Sequence, residues 1–306
     1  MRYRNLLLFS ALAAIWGSAF VAIKAGLGDP GSPAYFFDAP VLFAAVRYDV
    51  AGVLMLGYAV WTTDHWWPSG RDEWALVVVG SVFLIAGYHA LLFVGQRGTT
   101  SAAAAVIVSL SPLLTTAFAR ALLPNERLTV VGIVGMVLGL LGVVILSRPN
   151  PTDVLGTRFE ALVFGAALCF ALGSVLARRL DTGMPIQTME AWSMLGGAAL
   201  MHVASVGLGE SVSGVPPLRE TLALGYLALV ASAAGFLIYF DLLERLGPIE
   251  INLVSYAAPP VAALVGFLLL GERIDAPTAV GFAVILVGFV LIKRRAIRAE
   301  LSRKIR

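Results

Sequence analysis

Asn252, Ser255, Tyr256 and Pro259 fall at i, i+3, i+4 and i+7 of an otherwise apolar run, so they share one helix face. Ser109, Pro112 and Thr116 share a face of an earlier apolar run. Polar side chains are costly at membrane depth and collect where they meet protein or water. A proline removes a backbone donor and frees a carbonyl further up its helix. In lipid that carbonyl must also meet protein or water. Such faces suit reversible, non-covalent binding of a small solute. The alternative is that the prolines only bend their helices and the hydroxyls bond back to carbonyls of the same helix.

Further candidates lie in other apolar runs. His89, beside Tyr88, could hold a proton or a carboxylate, or be a neutral ring bonded to a neighbouring carbonyl. Arg47 either snorkels outward or faces a cavity and attracts an anionic group. Lys24 either sets a mouth or anchors a helix end. Trp16 and Trp192 could stack on an apolar or aromatic solute, or serve packing alone. Tyr239 joins this binding set, while His202, nearer a span end, ranks below it. Asp241 and Glu244 share a face near a span end, where pairing with Arg245 competes with a proton-coupling role.

Composition shows what kind of scaffold carries these groups. The chain has 306 residues, 59% hydrophobic and 13% charged, against about 25% charged in soluble domains. Mean hydropathy is +0.87. These values exclude an ordinary soluble enzyme, a disordered chain and a collagen-like repeat. The net charge of +3 comes from basic residues clustered at span edges, which argues against nucleic acid. One cysteine, Cys169, allows neither an intramolecular disulfide nor a cysteine-rich metal cluster. No HExxH, Walker A loop or GxSxG occurs, and no cofactor is expected.

Ten apolar segments can be traced, at 5–25, 41–61, 74–94, 101–123, 128–147, 160–180, 189–208, 221–241, 249–270 and 277–293. A helix needs about 20 apolar residues to cross the hydrocarbon core. The runs are continuous rather than alternating, which fits helices and not barrel strands. The expected fold is therefore an all-α membrane protein with ten transmembrane helices. The first segment reads as a retained helix rather than a signal peptide, because no convincing A-x-A site ends it. Lys and Arg favour the side bearing both termini, chiefly through Lys293, Arg294, Arg295, Arg298, Arg303, Lys304 and Arg306. Both termini are thus expected in the cytoplasm. Trp66, Trp67 and Trp74 read as an interfacial aromatic belt.

The halves repeat. A shift of 146 residues carries Glu126 onto Glu272, Gly135 onto Gly281 and Gly142 onto Gly288. Pro112 pairs with Pro259 after a one-residue adjustment, and Gly17-Ser18 matches Gly173-Ser174. Five spans per half is an odd number, so the second half starts on the opposite side of the membrane. The expected architecture is two inverted five-helix repeats, 1–150 and 151–295, followed by a basic cytoplasmic tail, 296–306. Inverted repeats give a physical route to alternating access around a site near the midplane. Gly135 and Gly139 form a GxxxG, read as close helix packing with a homodimer contact as the alternative. Glu126 and Glu272 read as structural carboxylates favouring the N-terminus of the following helix.

Ala14-Ile15-Trp16-Gly17-Ser18-Ala19-Phe20 with Lys24, Ala45-Val46-Arg47-Tyr48, Gly87-Tyr88-His89-Ala90-Leu91, and Ser111-Pro112 leading to Glu126-Arg127-Leu128 come in an order that resembles the EamA-type family of the drug/metabolite transporter superfamily. Gly247-Pro248, Pro259 and Gly271-Glu272-Arg273 match in the second half. The resemblance covers about residues 5 to 294. It implies ten helices, cytoplasmic termini, a central cavity, and export or exchange of small organic solutes. Family members handle amino acids, other metabolites or drugs, so the resemblance leaves the solute open. Asp241 and Glu244 depart from the family pattern. The expectation is a secondary transporter in the plasma (inner) membrane, with a lipid bilayer and a small-molecule substrate as partners. A passive channel or an intramembrane enzyme is the alternative.

Overall fold

The computed structural model describes residues 2–28, 36–122, 130–147, 158–180, 182–212, 214–246, 251 and 254–304. Among them there is no strand. The helices are α1 (Arg2–Leu27), α2 (Pro40–Thr62), α3 (Gly70–Gln96), α4 (Ser101–Leu122) and α5 (Val130–Ser147). They continue as α6 (Arg158–Leu180), α7 (Ile186–Gly207), α8 (218–246), α9 (Val254–Leu270) and α10 (Ala276–Lys304). Among the described residues, six stretches are long and apolar enough to cross a membrane: Tyr3–Leu27, Pro40–Thr62, Gly70–Gln96, Ser101–Leu122, Arg158–Leu180 and Leu218–Leu243. Shorter apolar stretches occur at Ile133–Leu146, Val254–Leu270 and Ala276–Leu291. Trp61, Val206 and Leu268 are 83%, 79% and 65% exposed on the outside of the bundle. Such surfaces suit a lipid solvent, and the chain is a multi-pass membrane protein.

Two local departures from regular α-helix recur at one spacing. The α3 backbone widens to a π-helix over Gly80–Gly87, and α8 does so over Tyr226–Ala234. The starts of these stretches are 146 residues apart, the shift read from the sequence. The α4 helix breaks at Ser109 and Leu110, so its halves are Ser101–Val108 and Ser111–Leu122. Pro112 then sits in the first turn of a helix segment, where a missing N–H costs least. The α10 helix runs on to Lys304, into the basic segment that begins at residue 296.

Glycines set the closest packing. A Cβ on Gly142 would lie 2.7 Å from the Gly281 carbonyl, and one on Gly281 would lie 2.5 Å from the Gly142 carbonyl. A Cβ on Gly288 would lie 2.5 Å from the Gly135 carbonyl. Thus α5 and α10 run antiparallel with their backbones touching. Exchanging the halves maps the Gly135–Gly288 contact onto Gly281–Gly142, so the contact set is its own image. A Cβ on Gly139 would reach Leu113 of α4, so this stripe is used within the chain. Elsewhere α1 approaches α9 at Gly17, where a Cβ would lie 2.7 Å from the Ala258 carbonyl. Likewise α2 approaches α7 at Gly52, against Leu195.

Candidate functional site

A cavity of about 390 Å³ lies among these helices. The first half contributes Trp16, Phe20 and Ile23 of α1, Arg47 and Tyr48 of α2, Leu84, Tyr88 and His89 of α3, and Ala105, Val108 and Ser111 of α4. The second half contributes Phe170, Ser174 and Ala177 of α6, Ile186, Met189 and Glu190 of α7, Phe236 and Tyr239 of α8, and Ser255 and Ala258 of α9. The walls are mostly apolar and aromatic, with a few polar groups projecting between them, which is the usual make-up of a small-molecule site.

The polar groups are held firmly. The His89 ring accepts and donates in one line: its Nδ1 is 3.0 Å from the Ile85 carbonyl, and its Nε2 is 2.6 Å from the Tyr48 hydroxyl. A carbonyl only accepts, so Nδ1 carries the hydrogen. In the neutral ring the Tyr48 hydroxyl then donates to Nε2. Arg47 is 5% exposed; its Nε donates to the Ser232 hydroxyl at 3.1 Å, and its guanidinium lies 4.9 Å from the Tyr48 ring centre. The Trp16 indole donates to the Ala231 carbonyl at 3.2 Å, and its ring meets Tyr239 at 5.5 Å and Phe236 at 5.8 Å. Tyr88 meets Phe170 at 5.4 Å.

The prolines act as repeat partners here. Pro112 cannot donate to the Val108 carbonyl one turn back; the Ser111 hydroxyl does so instead, at 2.7 Å. Pro259 likewise cannot donate to the Ser255 carbonyl. Val108 and Ser255 both line the cavity, as equivalent positions of the two halves.

Of the expected site residues, Trp16, Arg47, Tyr88, His89 and Tyr239 line the cavity. Four others do not. Ser109 is fully buried and bonds back to the Val106 carbonyl at 2.6 Å. The break beside it turns the helix face, so Ser111 reaches the cavity where Ser109 and Pro112 do not. The Tyr256 ring turns to α10 and meets Phe289 at 4.3 Å, leaving Ser255 at the wall. Trp192 joins Trp66, Trp67 and Trp74 in one cluster and donates to the Trp66 carbonyl at 2.9 Å. Asn252 lies outside the described residues, as do Glu126, Arg127, Leu128, Gly247 and Pro248. Glu190 was missed because it sits at the very edge of its apolar run, where a carboxylate reads as a flank; it is the acidic residue inside the limits of that run.

The cavity has unlike ends. Near the C-terminal end of α1, Phe20, Ile23 and Leu92 are 7%, 2% and 2% exposed. Behind them Gln96 donates to the Phe20 carbonyl at 3.0 Å, and Lys24 donates to the carbonyls of Gln96 and Arg97 at 3.1 and 3.2 Å. Gly271, with φ of 67°, ends α9 and turns the chain before Glu272. The Glu272 carboxylate accepts from the Ser101 amide at 3.1 Å and from its hydroxyl at 3.2 Å. It therefore caps α4 across the bundle, not the following helix, whose Thr278 amide donates to Asp275 at 3.0 Å. Beyond this seal is a basic hollow with Lys24, Arg97 and Arg219 around Glu272. At the other end, the side of the α6–α7 turn, Ile186 is 37% exposed. Asp241 is also on that side, 2.9 Å from Arg245 and 3.5 Å from Arg4, and so serves as an ion-pair partner.

Residues 4–148 and 158–294 both match the EamA-like transporter family. The chain belongs to this family. It is 30% identical over 299 residues to the inner membrane transporter YedA of Escherichia coli K12, covering 95% of this chain and 92% of that one. It is 27% identical over 285 residues to PecM of Dickeya dadantii, covering 91% and 89%. It is 26% identical over 287 residues to a chloroplastic WAT1-related protein of Arabidopsis thaliana, covering 90% and 66%. A solved crystal structure with 23% identity superposes at a TM-score of 0.65, covering 97% of this chain and 99% of its own, which shows a shared fold. A membrane transporter role follows from the EamA membership.

Proposed function

We propose that this EamA chain is a secondary transporter that exports or exchanges small organic metabolites, amino acids or related compounds and drugs among them. In this reading 1–150 and 151–295 are inverted five-helix repeats, ten spans in all, with both termini cytoplasmic. The observation that carries it is a single cavity lined from both halves and sealed at one end. The antiparallel α5–α10 contact that maps onto itself when the halves are exchanged supports an inverted relation. Rocking of one repeat against the other would open the sealed end and close the open one. Trp16, Tyr88 and Tyr239 would receive the apolar body of the solute, and Arg47 an anionic group, with His89 and Tyr48 holding that wall.

The test is counterflow in proteoliposomes preloaded with unlabelled amino acids or cationic drugs. The expected result is saturable uptake of one labelled solute, reduced at least about tenfold in Trp16→Ala. Non-saturating ion current without exchange would replace this reading with a channel. No flux of any solute from a folded preparation would overturn it.

A further inference from the structure

The charged side chains on the cavity wall are Arg47 and Glu190. Arg47 is engaged by Ser232 and Tyr48, as described above. Among the described residues, no hydrogen bond or ion pair holds the Glu190 carboxylate. It is half-buried and faces a chamber with Trp16, Phe236 and Tyr239 on its walls. A carboxylate is expensive in such surroundings unless a cation accompanies it. Aromatic faces beside a carboxylate are themselves attractive to an organic ammonium group.

The antiparallel packing of α2 and α7 orders the two charges. Gly52 faces Leu195. Arg47 lies five residues from that crossing toward the sealed end, and Glu190 five residues from it toward the open end. Their Cα atoms are thus offset by about 15 Å along the helices. The cavity has a cationic inner pole and an anionic pole at its mouth. A molecule entering with an ammonium group would keep that group at the mouth, away from Arg47, and send its apolar body inward.

We infer that Glu190 is the counter-ion for an ammonium group of the cargo, so that the site selects amphipathic amines and amino-group zwitterions over purely anionic molecules of the same shape. This rests on the carrier reading and narrows its substrate class.

Three probes with one phenyl-alkyl body test it: phenethylamine, phenylalanine and 3-phenylpropanoate. Each is titrated into the purified full-length protein, with binding read calorimetrically. The wild type is expected to bind the amine about tenfold tighter than the carboxylate, with the zwitterion between them because its own carboxylate also meets Glu190. Glu190→Gln should weaken the amine about tenfold and leave the carboxylate within about twofold. Glu190→Asp, which keeps the charge, should keep the order of preference, and it stands in if the Gln variant does not fold. Unchanged amine affinity in Glu190→Gln, equal loss for all three probes, or no amine binding by the wild type would each overturn the inference. Counterflow by the wild type that survives in Glu190→Gln with unaltered selectivity would overturn it while the carrier reading stood. Absence of counterflow in the wild type itself would remove the carrier reading.

Discussion

At the sealed end of the cavity, Gln96, Ser101, Lys24 and Glu272 join α1, α3, α4 and the turn after α9 through backbone amides and carbonyls. At the open end, Ala177, Ile186 and Glu190 face Tyr239 and Ser255 across the cavity. No hydrogen bond among the described residues joins α6 or α7 to those stretches of α8 and α9. The first end is held by directional bonds beside the cavity lining, and among them those from Ser101 to Glu272 cross between the halves. On the side of the second, the polar ties lie away from the cavity lining: Thr188 and Trp192 of α7 donate to the His65 and Trp66 carbonyls of the α2–α3 turn, and Arg4 pairs with Asp241. The two ends thus differ in where their polar ties sit, against the lining residue Phe20 at the first and in the outer turns and helix ends at the second.

The largest effect is expected away from either end. Gly142→Leu forces a side chain into the Gly281 carbonyl and should cost about 1–3 kcal/mol or more, read as a lower melting temperature in detergent. It should leave the probe preference of the cavity unchanged in whatever protein remains folded; a changed preference would mean that α5 and α10 shape the site. Glu272→Ala leaves the Ser101 amide without the carboxylate acceptor and its hydroxyl with the longer 3.4 Å bond to the Phe20 carbonyl, and should cost about 1–3 kcal/mol. Unlike Gly142→Leu, it should also expose Ile23 and Leu92 to solvent, measured by labelling cysteines placed there; continued protection would show that the polar contacts do not form the seal. The smallest effect is expected from Tyr48→Phe, which removes one hydrogen bond to His89 and should cost about 1 kcal/mol. It should weaken solute binding modestly with no change in which end is open, as read by the same labelling.

Much of the bundle was legible because membrane helices write themselves as long apolar runs, and because the repeat shift recurs as glycine and proline pairs. The π-helical stretches at Gly80–Gly87 and Tyr226–Ala234 could not be read, since their composition is that of ordinary apolar helix. They fall nevertheless at the same shift. Cavity lining was legible where a bulky or charged group stands alone in an apolar run, as with Trp16, Arg47 and His89. It was misread where a helix changes course. Face assignments by 3.6-residue spacing assume an unbroken helix, and the break at Ser109 passes the cavity face to Ser111. Glu272 shows another limit: spacing pointed to the helix after it, whereas the structure sends its carboxylate to Ser101, distant in sequence. The Asp49 and His202 pair, 2.7 Å apart, arises the same way, from packing between α2 and α7.

Two single cysteines in a Cys169→Ser background report on the two ends of the cavity, one replacing Ile23 at the sealed end and one replacing Ile186 at the open end. Their labelling rates are measured in the otherwise intact protein and with Glu272→Ala added. Alternating access predicts that position 186 labels fast and position 23 slowly, and that Glu272→Ala raises the rate at 23 while lowering it at 186. A rise at both positions together would mean a continuous pore, and no change at either would mean a rigid bundle; each result would contradict the account.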